Sequence, residues 1–380
     1  MPCLSGPILP QGHAVSSLEL VRLESIDAVR RAADGWDRLW QASDVSLPTA
    51  RAELVAQWLE RFAPRSAAAA LVVQRAGRPV AAMPLAVRRL RGVLPVGDLT
   101  SNAWSPNGEL LLDPTADAEV MDLMAAGLDE LRWPLVWLDL VPLRAERWQA
   151  LLDALARRGM AVDVHGRYLI GLTEIGGRFD DFLATRSRNM RQGLRKNLRR
   201  LARRGPVELR LVSQFSEAEI GDLLRRAFEI EHKSWKQQTG TSVLGTPGAL
   251  EFYLRQARQL AAWGYLRLAF LEHRGELIAF EFGWTAKGVY HCYKIGYDPA
   301  YAELSPGQLL RMLLVERFCE TRDCERIDYQ GPLGNAVARW TTDSYAIGRL
   351  VIAPRRTTSR ALLAAYRVAA AAKRRVRGEA

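Results

Sequence analysis

The chain has 380 residues, 48% of them hydrophobic and 25% charged, with a net charge of +11 and a pI near 9.8. That length favours two cores over one. Its four cysteines (Cys3, Cys292, Cys319 and Cys324) form no C-x-x-C pair and no secreted disulfide framework, and no apolar run reaches the roughly 18 residues needed to span a bilayer. Reduced thiols point to the cytoplasm, with peripheral contact at an inner membrane face as a further expectation. The excess positive charge favours anionic partners (acyl-CoA, tRNA, acidic glycans or a membrane face) without choosing between them.

Met1 to Ser17 lacks the basic start and apolar centre of a signal peptide and reads as a disordered leader over 1–16. Short helical patterns follow, with Trp36, Leu39 and Trp40 on one face, then Leu54, Val55, Trp58, Leu59 and Phe62. Strands are expected at 71–73 and 80–87 around Gly77, a helix at 116–131, a strand at 135–140 and a helix at 148–158. A second half begins near Tyr168. Its basic segment 179–204 reads as one long amphipathic helix, with an apolar stripe from Phe179 to Leu201 and a strongly cationic outer face. A strand follows at 207–212, and Ser216 with Glu219 forms a capping box for the next helix. Thr246-Pro247 opens another helix. Leu266 to Cys319 then reads as strand, glycine turn, two strands, loop and helix. The chain closes with strands near 326–329 and 350–352 and a basic helical tail over 355–380.

The halves echo each other. Ala76-Gly-Arg-Pro-Val-Ala-Ala-Met-Pro84 matches Arg274-Gly-Glu-Leu-Ile-Ala-Phe-Glu-Phe282, and Leu138-Asp-Leu-Val-Pro-Leu143 matches Ile327-Asp-Tyr-Gln-Gly-Pro-Leu333 with one insertion. The fold class expected is therefore α/β with mixed sheets, built as a duplication over 17–166 and 167–354. Met83 stands where Glu281 stands, which assigns the chemistry to the second copy.

Within Leu266 to Cys319, Ser305-Pro306-Gly307-Gln308 fits a helix start, with Ser305 as N-cap and Gln308 completing a capping box. Such an end either binds a phosphate through free amides, with Gly307 allowing close approach, or is simply capped. Glu281, on an apolar strand and facing away from Phe280 and Phe282, is either a shielded base or one half of a salt bridge. His291 is the alternative base or a structural histidine. Lys294 can steady an anion or face solvent. The arginines from Arg186 to Arg204 suggest docking of RNA, an anionic glycan or a membrane surface, or a solvated face. The sequence has no zinc-type cluster, Walker loop or G-x-S-x-G, so no metal is expected.

These motifs, in their order, resemble the acetyltransferase group associated with cellulose biosynthesis (the CelD/BcsL type) within the GNAT superfamily. The likeness is carried by Arg188-Asn-Met-Arg-Gln-Gly-Leu-Arg195, Glu231-His-Lys-Ser-Trp235, His291-Cys-Tyr-Lys-Ile-Gly-Tyr-Asp298, Ser305-Pro-Gly-Gln-Leu309 and the segment from Gly331 to Trp340. Trp36-Asp-Arg-Leu39 and Ala82-Met-Pro-Leu85 extend it into the first half. The resemblance implies two tandem GNAT-like domains, as in the FemAB-type peptidyltransferases. It implies transfer of an acyl group from a thioester or ester donor to an amine or hydroxyl; acyl-CoA (acetyl-CoA) is the expected donor, and a sugar, polysaccharide precursor or envelope-related small molecule the expected acceptor.

Ser305 to Gln308 would then take the place of the pyrophosphate loop, although it departs from the usual Gln/Arg-x-x-Gly-x-Gly/Ala pattern. Amides near Ile295, Gly296 and Tyr297 would face the thioester across a splayed sheet. Trp235, Tyr293, Lys294, Asp328, Arg339 and Trp340 would line the acceptor groove. The family's lysine three residues before the tryptophan is Val337 here. Aminoacyl-tRNA as donor, bound by the basic helix, and a non-catalytic scaffold of a glycan-synthesis complex are the rival readings.

Overall fold

The computed structural model describes residues 17–64, 69–90, 92–233 and 240–377, the side chains of 69 and 373–377 aside. The proposed leader and Trp235 lie outside the described residues. In the first half, β1 (Leu18–Leu23) precedes α1 (Ile26–Arg31), α2 (Ala33–Ala42) and α3 (Ala52–Phe62). Next come β2 (Ala69–Arg75), β3 (Arg78–Leu90), β4 (Leu94–Leu99) and the short strands β5 (Ser101–Asn102), β6 (Ser105–Pro106) and β7 (Leu111–Leu112). The half ends with α4 (Ala118–Glu130), β8 (Val136–Pro142), α5 (Glu146–Arg157) and β9 (Ala161–Glu174).

The second half begins with α6 (Phe179–Ala184), α7 (Arg188–Ala202), β10 (Val207–Val212), α8 (Glu217–His232) and α9 (Ala249–Ala262). It continues through β11 (Leu266–His273), β12 (Glu276–Ala286), β13 (Val289–Tyr297), α10 (Pro306–Thr321), β14 (Arg326–Pro332), α11 (Asn335–Ala338) and β15 (Asp343–Ala353). The tail is α12 (Thr357–Arg377).

Thirteen strands form one sheet, ordered β1-β2-β3-β4-β8-β15-β9-β14-β13-β12-β11-β10 with β7 added on β3. Read inward from either edge the order is the same, and the last strand of each half has crossed into the other half's side. β9 pairs with β14, β15 pairs with β8, and the two run antiparallel to each other at the centre.

The duplication holds in detail. Ala76-Gly77 and Arg274-Gly275 turn their hairpins with positive φ at both residues, the geometry that suits the strand twist. Each hairpin carries a bulge just before its turn, at Val73/Gln74 and at Leu271/Glu272. Leu71 faces Met83 as Ala269 faces Glu281. Met83 and Glu281 therefore occupy equivalent positions, as the sequence echo implied.

One face of the sheet carries a core shared by both halves, in which Leu39, Trp58 and Leu59 join Phe228, Phe252, Phe280 and Phe282. The other face carries separate cores under α4 and α5 and under α7 and α10. Three buried indoles of the first half keep their N–H groups bonded. Trp36 donates to the Ala50 carbonyl at 2.9 Å, Trp40 to the Leu47 carbonyl at 2.8 Å and Trp148 to Glu109 Oε1 at 2.7 Å.

The expected helix 179–204 is broken. Thr185 Oγ1 donates to the Phe182 carbonyl, closing α6, and Ser187 Oγ accepts from the Met190 amide, opening α7. Local hydroxyl bonds here outcompete helix continuation. The Ser216–Glu219 capping box is present. The helix expected at Thr246-Pro247 starts at Ala249 instead, after Gly248 at φ 71°. The tail is docked in its first half. Leu363 is buried, Tyr366 packs edge-on against Trp137 and His165, and Arg355, Arg356, Arg360 and Arg367 all bond to groups of the domain.

Candidate active site

Each half contains a place where two parallel strands part. In the second half β13 and β14 pair at Val289–Arg326, Tyr290–Ile327 and His291–Asp328, and no further. Beyond that last rung β14 bends away, with Gln330 at φ 53° and Pro332 pairing instead with Ile170. On its other side β13 bulges, because Phe282 faces Lys294 while Gly283 faces Cys292, leaving Tyr293 as the extra residue. Bulges re-aim side chains at sites of this kind. The bulge depends on Gly283, where an added Cβ would lie 2.2 Å from the His291 carbonyl oxygen. Gly283→Ala is therefore expected to cost about 2 kcal/mol or more and to lower the melting temperature, since backbone cannot move aside as a flexible side chain would.

The first-half fork, between β4 and β8, is closed. They share the single rung Gly97–Val136. Asp98 Oδ1 then accepts the amide of Asp139 across the gap at 3.1 Å, and Arg88 donates to Asp98 Oδ2 at 3.0 Å. Arg167 and Arg349 hold Asp139 at 2.7 and 2.8 Å. Burial pushes the Asp98 carboxyl up to about 6.

The helices that follow the forks differ in the same sense. Asp117 caps α4 and Glu119 lies in its first turn, whereas α10 has no side-chain cap and no acidic residue in its first turn. Negative charge at a helix start occupies the place a phosphate would take.

A cavity of about 870 Å³ opens where the halves meet. The second half contributes Tyr293, Lys294, Gln330, Gly331 and Pro332, and the first half contributes Trp58, Phe62, Arg88, Arg89, Asp98, Asp139 and, from β9, Arg167 and Tyr168. Lys294 Nζ sits between the rings of Trp104, Tyr293 and Tyr253, at 5.1 to 5.6 Å from their centroids. A smaller cavity of about 390 Å³ shares Ser101, Pro106, Leu140, Tyr168 and Gln330 with the first and is lined by His291, Asp328 and Tyr345.

Asp328 sits on the last rung of the open fork. Its Oδ1 accepts the Gln330 amide at 2.9 Å and its Oδ2 the Tyr345 hydroxyl at 2.9 Å. Burial raises its carboxyl to about 6 despite those donors.

The residues expected from the sequence separate into two groups. Tyr293 and Lys294 line the larger cavity, and His291 and Asp328 the smaller. Ile295 and Tyr297 are exposed apolar residues on β13, 48% and 45% accessible, with Gly296 between them. Gly307 is open, its nearest neighbour to an added Cβ being Tyr297 at 3.9 Å.

Several of the expected residues are engaged by protein partners, His291 among them although it borders the smaller cavity. Glu281 is buried in an ion pair with Arg311, whose Nε donates to Oε1 at 2.7 Å and whose Nη2 makes a closer contact with the same carboxylate. It lines neither cavity. His291 is buried and held neutral, its pKa pushed down to about 3 by burial. Gln330 Nε2 donates to its Nδ1 at 3.1 Å, which occupies the nitrogen that would take a proton.

Ser305 is in the left-handed region at φ 52° and its side chain caps nothing, so the expected capping box is absent. The amides of Ser305 and Gln308 already bond to Ala302 and Ser305 carbonyls. Gln308 instead accepts from Trp340 Nε1 at 2.8 Å. Trp340 is thereby a core residue, 1% exposed and stacked on Phe182, rather than a groove wall. Arg339 is exposed and lines neither cavity.

Sequence reasoning missed Tyr345, Gln330 and Arg311. It also missed every first-half contribution to the cavity. Arg311 had a signal: a lone arginine inside Leu309-Leu310-Arg311-Met312-Leu313-Leu314 needs a buried counter-charge, and Glu281 was the unexplained one.

Residues 188–340 match the family described as acetyltransferase (GNAT) domain. That match lies within the second half; with the paired forks, it makes the fold a mixed α/β sheet of two GNAT-like halves. No curated protein matches in sequence. FemX is similar in structure, with a TM-score of 0.55 and 9% identity over 84% of this chain and 95% of that one. A conserved protein of unknown function from Bacteroides thetaiotaomicron gives 0.54 and 12% over 85% and 97%. The C-terminal domain of an Agrobacterium fabrum protein provisionally assigned as a lysylphosphatidylglycerol synthetase gives 0.53 and 12% over 89% and 96%. Among the described residues no helix is long and apolar enough to cross a membrane.

Proposed function

We propose that this chain is an acyltransferase that moves an acyl group, acetyl in the simplest case, from acyl-CoA to an amine or hydroxyl. The acceptor is a sugar, a polysaccharide precursor or an envelope-related small molecule, in keeping with the motif order of the cellulose-associated group. The observation that carries this reading is the contrast between the forks. The first is stitched shut by Asp98 and its arginines, whereas the second has no rung beyond His291–Asp328 and opens onto the 870 Å³ cavity.

The residues present fit an acyl-CoA in part. Ile295 and Tyr297 offer exposed apolar surface for its linker, and the uncapped start of α10 at Gly307 suits a phosphate. With the Ser305 and Gln308 amides already used, that end is a weaker anion site than a full pyrophosphate loop.

The acceptor enters from the cavity side. Its nitrogen or oxygen attacks the acyl carbon, a new C–N or C–O bond forms, the C–S bond breaks, and sulfur leaves with the electron pair. Asp328, which lines the smaller cavity adjoining the 870 Å³ one, takes the acceptor's proton directly or through one water. Lys294 steadies the acceptor against the aromatic wall. Backbone amides of β13 near Ile295 to Tyr297 face the developing oxyanion. Isothermal titration with acetyl-CoA is expected to give micromolar binding, and no heat at millimolar ligand would end the CoA version.

A second reading, with aminoacyl-tRNA as donor, is favoured by α7. From Arg188 to Arg204 there is no acidic residue, and Arg188, Arg195, Lys196, Arg199 and Arg203 are exposed. Arg195→Glu with Arg199→Glu is then expected to abolish tRNA retention in a filter assay while leaving acetyl-CoA binding unchanged. Unaltered retention rules that face out.

A further inference from the structure

The first positions past the last rung of the open fork are Cys292 on β13 and Tyr329 on β14. Neither faces an empty gap. Arg311 comes down from α10 between them: its Nη2 donates to Cys292 Sγ at 3.2 Å, and its guanidinium lies 4.4 Å over the Tyr329 ring. The same Nε–Nη2 edge is held by Glu281 of β12, whose Oε2 accepts the Tyr290 hydroxyl at 3.3 Å. The Tyr329 hydroxyl continues the chain to Thr173 Oγ1 of β9 at 2.7 Å, and Thr173 donates to the Trp340 carbonyl at 2.9 Å. One guanidinium thus touches three neighbouring strands at the point where two of them part, and it is only 6% exposed.

A buried ion pair is a poor device for stability, since apolar residues of similar volume pack there as well or better. A planar cation with fixed donor directions is a good device for setting a distance. We propose that Arg311, held by Glu281, is the positioning residue of the fork: a wedge that keeps β13 and β14 at the separation the acyl group requires. It touches no cavity, so it acts through the strands. This rests on the acyl-transfer reading for its purpose, but not for its geometry.

The test uses the full chain with Arg311→Met and Glu281→Met combined, which replaces the pair by apolar side chains. Hydrogen exchange of the amides at 292–297 and 329–331 is read without ligand. It is expected to quicken about tenfold there and not in β2 or β3. With acetyl-CoA and a turned-over acceptor, kcat is expected to fall about a hundredfold with the acceptor KM unchanged. Wild-type exchange at the fork overturns the wedge, whatever the enzyme's substrate. Absence of acetyl-CoA binding in the wild-type chain defeats the functional reading and leaves the exchange result standing.

Should the double variant not fold, Glu281→Gln keeps the shape and an acceptor. It is expected to raise fork exchange severalfold and to retain the acidic limb of the pH–rate profile. Loss of that limb would make Glu281 the base and overturn the proposal.

Discussion

Asp328→Asn is expected to lower kcat/KM by about 10²–10⁴-fold, the usual worth of a positioned general base. Wild-type kcat/KM should rise about tenfold per pH unit below about pH 6 and flatten above pH 7. The sign follows from the role: a base works only when ionised, and burial raises the Asp328 carboxyl to about 6, so protonation below that pH removes the acceptor. In the asparagine variant the limb should vanish.

Tyr345→Phe supplies a graded version. The tyrosine hydroxyl donates to Oδ2 at 2.9 Å and favours the charged carboxylate. Its loss should move the limb to higher pH without abolishing turnover. Initial rates of thiol release over pH 4.5–9 decide the matter, and a limb that survives in Asp328→Asn assigns the base elsewhere.

Arg311→Met alone should cost about 3–5 kcal/mol of stability by urea denaturation. It leaves the Glu281 carboxylate, 2% exposed, without its cation. Replacing both residues should recover most of that loss, because no uncompensated charge remains. A single variant no less stable than the double would mean that water or another group reaches Glu281.

The fold was legible wherever the signal was local. Ser216 and Glu219 are three residues apart, and their capping box formed as read. The hairpin echo of Ala76-Gly77 with Arg274-Gly275 reflects a turn geometry fixed within four residues. Ser305 has the same local pattern as Ser216, yet the 3-10 turn Pro299–Leu304 feeds into it and sets its backbone left-handed, which points the hydroxyl away from the amides it should cap.

The site was less legible because its partners are distant in sequence. Trp340 read as a groove aromatic, but its indole N–H belongs to Gln308, 32 positions earlier. Glu281 read as either a shielded base or one half of a salt bridge, and its partner is Arg311, on a helix whose apolar run conceals a cation. Only the second-half side of the cavity wall was read, at Tyr293 and Lys294, since the wall brings Arg88, Asp98 and Asp139 of one half against Lys294 and Gln330 of the other.

The exchange of β9 and β15 has a consequence for ancestry. A gene encoding one half alone would yield a chain whose final strand has no place in its own sheet. Two such chains would accept each other's last strand and form a two-fold dimer with the strand order seen here. Tandem fusion of such a dimer would give the strand order seen here. It also relieves one of two identical centres from selection, which is the circumstance in which Asp98 can come to fill a gap that its twin must keep open.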